Sequence, residues 1–360
     1  MWGHTATLLC SGKVLVVGGA TYVQGPNGQI LTGYLNSAEL YDPVSDTWSD
    51  AAPLPSGRAF HTATLLPSQR KVLVMGGITD DNYIEEYDEA TNTWEPQPDW
   101  DGTPEPRGGA TATLLASDEV LVTGGWLDEF CSPSANLFDP ATNTWTPVND
   151  MIAPRGGHQA TAIKLPDSSS VDPSEKVLVM GGGWCYATIP DTPAAERFDR
   201  YATDPRTGIQ GTWTSAGNTT VLDQHAQLLL DSGKLLVAGG MAFDPAGQFT
   251  FSASAALYDA GNDTWAAAGA MSWARAQHTA SMLSSGAVVV AGGMSLPSEI
   301  PLEDTAELYD PGANQWFPAG PMVKRRYGHV AVVLSSGQVL VVGGKGREPD
   351  DSRSAELYTP

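Results

Sequence analysis

The sequence has little cysteine, little basic charge and no long apolar run. Three cysteines in 360 residues (Cys10, Cys131 and Cys185) are too few for a disulfide framework and leave the redox compartment open. Lysine and arginine number 19 against 41 acidic residues, a formal charge of −22. So acidic a chain argues against nucleic acid and anionic membrane as partners, because both demand a basic surface. No apolar stretch reaches bilayer-spanning length, so no membrane insertion is expected. The opening Met1-Trp2-Gly3-His4-Thr5 lacks the basic and apolar regions of a signal peptide. Phosphate-binding loops, a nucleophile elbow and a His-Glu-x-x-His helix are all missing.

Punctuation is abundant instead. With 39 Gly and 26 Pro the chain is broken too often for a helical protein, while 41% apolar residues suffice for a core. A Gly pair follows an apolar, β-branched run at Gly18-Gly19, Gly76-Gly77, Gly124-Gly125, Gly181-Gly182, Gly239-Gly240, Gly292-Gly293 and Gly343-Gly344. The mean period is about 54 residues, which is the mark of a repeat architecture. Each copy has a run such as His61-Thr62-Ala63-Thr64-Leu65-Leu66, a tight turn, a second run such as Lys71-Val72-Leu73-Val74-Met75, and the Gly pair. A variable stretch then leads to Tyr-Asp or Phe-Asp (Tyr41-Asp42, Tyr87-Asp88, Phe138-Asp139, Phe198-Asp199, Tyr258-Asp259, Tyr309-Asp310) and to a Trp. That Trp follows the Asp by six residues in five copies, at Trp48, Trp94, Trp145, Trp265 and Trp316, and by 14 at Trp213. Fixed spacing around Pro, Asn and Thr specifies one hairpin geometry, and four short antiparallel strands repeated seven times predict a β-propeller. The seventh copy reaches Glu356-Leu357-Tyr358 without a Trp strand, so its blade is expected to have three strands in this chain, which reads as trimmed or incomplete.

These residues resemble the kelch-repeat family, in the bacterial type similar to the central domain of galactose oxidase: Arg-x-x-His, the Gly pair, Tyr-Asp and Trp recur across essentially the whole chain. The resemblance implies an all-β, seven-bladed propeller of four-stranded antiparallel blades around a central channel. A single domain over 1–360 is expected, with repeats near 4–48, 61–94, 110–145, 158–213, 225–265, 278–316 and 329–360. One blade cannot bury both faces of its sheet, so neighbours must stack, and the recurrent Tyr and Trp are expected to pack between them.

Antiparallel order puts the connections between strands two and three, and from strand four to the next strand one, on one face. The two–three connections range from 19 residues (20–38) to 7 (78–84), which makes that face the expected working side. All six histidines occupy the start of strand one: His4, His61, His158, His225, His278 and His329. A periodic residue has a periodic task, so a repeated bond between blades is preferred to a metal site. Arg58, Arg155, Arg275 and Arg326 precede a histidine by three residues, and Arg107 precedes Ala110 likewise. They either pair within the scaffold or select carboxylate-bearing ligands at the channel mouth.

Residues that break the repeat are the other binding candidates. Trp126, Phe130 and Cys131 stand on one loop, Trp184, Cys185 and Tyr186 on the next. They form either an aromatic platform for a glycan or peptide, or local packing pinned by a Cys131–Cys185 disulfide. Cys10 reads as a buried thiol. Asp80-Asp81, Asp128-Glu129 and Asp350-Asp351 read as solvated surface.

Two functions follow. The favoured one is a non-catalytic, monomeric recognition scaffold for a protein, peptide or glycan, with no cofactor and no stoichiometric transition metal. The alternative is a copper oxidase related to galactose oxidase, or another kelch-type carbohydrate-active enzyme. Galactose oxidase carries an adjacent Tyr-His pair, for which the nearest counterpart here is Tyr327-Gly328-His329. Alanine-rich, lysine-poor composition resembles exported bacterial kelch proteins and slightly favours an extracellular or envelope location.

Overall fold

A computed structural model describes residues 2–25, 28–79, 84–97, 107–127, 130–164, 175–182, 194–217, 223–243, 248–295, 304–346 and 354–359. Among them strands are the only regular elements, and they form six four-stranded sheets and one three-stranded sheet besides three small hairpins. This is a seven-bladed β-propeller whose last blade has three strands, as the repeat predicts.

Blade one shows why the sequence folds this way. Its strands Thr5–Leu8, Val14–Val17, Ala38–Asp42 and Thr47–Ala51 pair in chain order. The second strand, VLVV, is buried at every position, as a β-branched run covered on both faces should be. Asp42 and Thr47 close the last hairpin. The Asp42 carboxylate accepts from the Val44 N–H at 2.9 Å, and Asp46 takes a left-handed conformation, φ 54°. Asn92, Asn143, Asp263 and Asn314 repeat that conformation, so the fixed six-residue spacing records a loop that needs Asn or Asp at one place. In copy four the extra residues lengthen the hairpin: Ala195–Thr203 pairs with Gln210–Ser215 across a register shift.

Tyr41, Tyr87, Phe138, Phe198 and Tyr258 each lie directly across the hairpin from the Trp of the same copy, with ring centroids 4.8 to 5.1 Å apart. The recurrent Tyr and Trp pack as expected, but the two rings of a pair are buried unequally. Tyr87, Phe138, Phe198, Tyr258 and Tyr309 are fully buried, whereas Trp48 is 40% exposed and the other five stay half-buried. Each Trp stands on the outermost strand of its blade, with no further strand of the sheet beyond it.

The blades fall into two compact units. One comprises residues 1–108, 277–309 and 317–360, the other residues 109–276 and 310–316. Within each, valine and leucine of neighbouring second strands interdigitate, as in the cluster of Leu15, Val17, Val72, Val74 and Tyr87 and the cluster of Leu121, Leu137, Val177, Val179 and Phe198. The Trp indoles tie blades together edge to edge. Trp94 Nε1 donates to Ala52 O at 2.7 Å, Trp213 to Asn149 O at 2.8 Å and Trp265 to Ala216 O at 2.7 Å. Cys10 is an exposed free thiol, not a buried one, because strand one ends at Leu8 and Cys10 lies in the turn beyond it.

Candidate functional site: the loop face

Among the described residues, the two–three connections of three blades fold into hairpins of their own. Ala20–Gly25 pairs with Gly28–Tyr34 in the first unit. In the second, Trp126–Leu127 pairs with Phe130–Cys131, and Met241–Phe243 with Phe249–Phe251. Isolated bridges join the start of these connections to the segment entering strand one: Trp2 to Ala20, Ala59 to Ile78 and Tyr327 to Lys345 in one unit, Asp223 to Met241 in the other. Within each unit the two–three and four–one connections therefore share a face, as antiparallel order requires.

Beneath that face runs a repeated junction of Gly, Arg and His. The second glycine's N–H donates to the carbonyl of the next blade's arginine: Gly19 to Arg58 at 2.8 Å, Gly125 to Arg155 at 2.7 Å, Gly240 to Arg275 at 2.7 Å and Gly293 to Arg326 at 3.0 Å. The first glycine faces the next blade's imidazole. A Cβ on Gly18 would stand 2.9 Å from His61 Cε1, and one on Gly343 would stand 2.5 Å from His4 Cε1. The imidazoles bond across blades as well. His61 Nε2 lies 2.9 Å from Thr5 Oγ1, His158 Nε2 2.9 Å from Thr111 Oγ1, His329 Nε2 2.9 Å from Thr279 Oγ1, and His4 Nε2 donates to Val342 O at 3.1 Å. Burial, followed by nearby positive charge, pushes His61 and His329 down to about 3; burial pushes His4 down to about 4. These are neutral blade-to-blade links.

The four predicted arginines are buried, Arg58, Arg275 and Arg326 at 0% exposure and Arg155 at 5%. Arg58 meets Glu85 at 2.9 Å, Arg155 meets Glu196 at 3.0 Å and Arg326 meets Glu356 at 2.8 Å, each glutamate standing on the third strand of the same blade. Arg155 and Arg326 also donate to the carbonyl of the first glycine of their pair, Gly181 at 2.7 Å and Gly343 at 2.8 Å. Arg275 is placed by burial and by its carbonyl's bond from Gly240.

Trp126 lies across a floor of glycine. A Cβ on Gly109 would come within 2.5 Å of its ring, on Gly156 within 2.4 Å and on Gly157 within 3.0 Å, so bare backbone is what lets the indole lie there. Trp126 pairs with Cys131, and Leu127 with Phe130, which is 62% exposed. Cys131 is disulfide-bonded. Trp184, Cys185 and Tyr186 lie outside the described residues, as do Asp80-Asp81, Asp128-Glu129 and Asp350-Asp351. Among the described residues of the other two hairpins, Leu31 is 42% and Phe249 40% exposed.

One cluster on this face escapes a sequence reading. Trp2 packs edge-on against Phe60 (centroids 4.9 Å apart, 85°) and tilted against Tyr22 (6.1 Å), and Lys345 stands over both Trp2 and Tyr22. The one available signal lies immediately before strand one. Gly3, Phe60, Gly109, Gly157, Gln224, Gln277 and Gly328 are all left-handed, φ between 56° and 70°, and a Phe there is conspicuous.

Among the described residues no group of three or more His, Cys, Asp and Glu is arranged to hold a metal ion. The imidazole of the Tyr327-Gly328-His329 segment is turned to Thr279.

Residues 78–351 match the family model of the Attractin/LZTR1 beta-propeller, and residues 1–55 match the Kelch motif. Kelch-like protein 25 of Xenopus tropicalis is 31% identical over 185 residues, covering 50% of this chain and 28% of that protein. Galactose oxidase of Gibberella zeae is 22% identical over 391 residues, covering all of this chain and 54% of the oxidase. The chain thus spans between about a quarter and about half the length of these relatives. In fold it is similar to a fungal alcohol oxidase of the AA5 family solved in complex with copper (TM-score 0.70, 18% identity, 96% of this chain and 70% of that one). It is also similar to YjhT (TM-score 0.59, 16% identity, 89% and 97%).

Proposed function

This chain belongs to the Attractin/LZTR1 beta-propeller family, and on that premise we propose that it is a non-catalytic recognition scaffold whose loop hairpins bind a protein, peptide or glycan. The observation that carries the reading is the Trp126–Cys131 hairpin: an indole seated on glycine, an exposed Phe130 and a disulfide-bonded Cys131. Such a hairpin offers a rigid apolar contact with little ordering cost on binding. The arginines serve this face by holding the third strand to the Gly pair, so they act through positioning rather than by touching ligand.

The oxidase reading has in its favour the match to galactose oxidase, which covers all of this chain and 54% of that protein. Against it, His329, the histidine of the nearest counterpart to the oxidase's Tyr-His pair, is buried and bonded to Thr279 within the scaffold.

The test is a glycan-array and peptide-library screen of the full chain, repeated with Trp126→Ala, Phe130→Ala and Trp184→Ala. For the selected ligand, Trp126→Ala and Phe130→Ala are each expected to weaken binding by about thirtyfold, the scale of a hot-spot residue. Wild-type affinity in both variants would remove the hairpin from the site. Stoichiometric copper in the purified protein would restore the oxidase reading.

A further inference from the structure

Four lysines on the scaffold reach carboxylates: Lys13 to Asp42 at 3.7 Å, Lys71 to Glu95 at 2.7 Å, Lys234 to Asp259 at 3.9 Å, and Lys176 to Asp199. Lys345 differs from all of them. Its ammonium stands 3.9 Å from the centroid of the Trp2 ring and 4.2 Å from that of Tyr22, and among the described residues it has no carboxylate in ion-pair range. Both distances lie well inside the range over which a ring face attracts a cation.

The walls of this cage are fixed independently of the lysine. The Trp2 and Tyr22 planes meet at 51°, leaving an open wedge. Phe60 abuts the Trp2 edge, and Gly328 supplies a floor on which a Cβ would clash with Trp2 Nε1 at 2.6 Å. The Lys345 backbone is pinned by its bridge to Tyr327, with N–H···O distances of 2.8 and 2.9 Å, so its side chain can leave without moving the loop. Burial also lowers the Lys345 amine from its ordinary value. A cation whose charge is spread over methyl groups costs less to desolvate there than a primary ammonium. The formal charge of −22 draws cationic ligands toward the molecule.

We propose that Trp2 and Tyr22 form a binding site for an alkylammonium group, the protonated or methylated amine of a basic partner, and that Lys345 occupies this site as an internal stand-in. The site is built from residues of the first unit and does not depend on the Trp126 hairpin of the second, and its test does not use that hairpin's ligand.

The experiment titrates the 360-residue chain with tetramethylammonium chloride, following the Trp2 indole N–H by NMR against matched sodium chloride. Wild type, Lys345→Ala, Trp2→Ala/Lys345→Ala and Tyr22→Leu/Lys345→Ala are compared, with thermal unfolding run on each. Removing the stand-in is expected to tighten binding roughly fivefold, the equivalent of one cation–π contact. Taking away either ring in that background is expected to abolish saturation; calorimetry replaces the indole signal where Trp2 is absent, and the Tyr22 variant decides if the Trp2 variant does not fold. The proposal is overturned if Lys345→Ala binds no tighter than wild type, or if loss of a ring leaves its affinity unchanged. A drop in stability without a gain in binding would reduce Lys345 to a clasp and equally sink the site.

Discussion

Gly124 and Gly233 both hold left-handed backbone, at φ 60° and 78°, but they face different surroundings. A Cβ at Gly124 would lie 2.4 Å from Arg155 O and 2.5 Å from His158 Cε1, whereas one at Gly233 would meet nothing within 4 Å. Gly233→Ala should therefore cost only the backbone penalty, about 1 kcal/mol, while Gly124→Ala adds a clash with main chain and should cost about 3 kcal/mol or more. Urea unfolding of the two variants checks this, and equal losses would mean that crowding at the junction is relieved cheaply. That the Gly pair marks close backbone approach is legible in the sequence. What approaches is not: the partners, an arginine carbonyl and an imidazole, stand about 30 residues away in the next copy.

Within a blade, the element-scale fastening is the arginine that enters strand one and the glutamate that opens strand three. Arg155 Nε and Nη2 donate to Glu196 Oε1 at 3.1 and 3.0 Å, and the same carboxylate accepts from the N–H groups of Ile152 and Ala153 at 2.6 and 3.0 Å. Arg155→Ala strands a buried carboxylate and should destabilise by about 3–5 kcal/mol. Pairing Arg155→Met with Glu196→Met should cost clearly less than the sum of the single changes, because no lone charge is left behind. Additive losses in a double-mutant cycle would deny the coupling. The sequence set out two readings of these arginines without deciding between them, since Arg-x-x-His spacing does not reveal which way a guanidinium turns. The hairpins in the two–three connections were likewise invisible: length marks a loop as variable, but only the folded chain pairs Trp126 with Cys131 or Met241 with Phe251.

At the scale of the whole molecule, the buried histidines make stability depend on pH. His4, held near 4, and His61 and His329, held near 3, stay neutral in the folded state where the unfolded chain, at about 6.5, takes up protons. Stability from these groups is complete above the unfolded value and is lost as pH falls from about 6.5 toward about 4, by up to about 1.4 kcal/mol per unit for each histidine. Chemical denaturation over this range should show that slope, and His61→Gln should make it shallower while lowering stability at neutral pH. An unchanged slope would show that these histidines are not the titrating groups.

The repeat, the number of blades, the strand order and the face on which variation collects could all be read along the chain, because they follow from local periodicity, turn chemistry and antiparallel geometry. Which ring is buried and which only edges the blade, which arginines are sealed by glutamate, and that Trp2, Tyr22, Phe60 and Lys345 converge became visible only once the blades were folded and stacked. Each of these depends on contacts between residues distant in the chain, and the repeat signal, being local, carries no information about them.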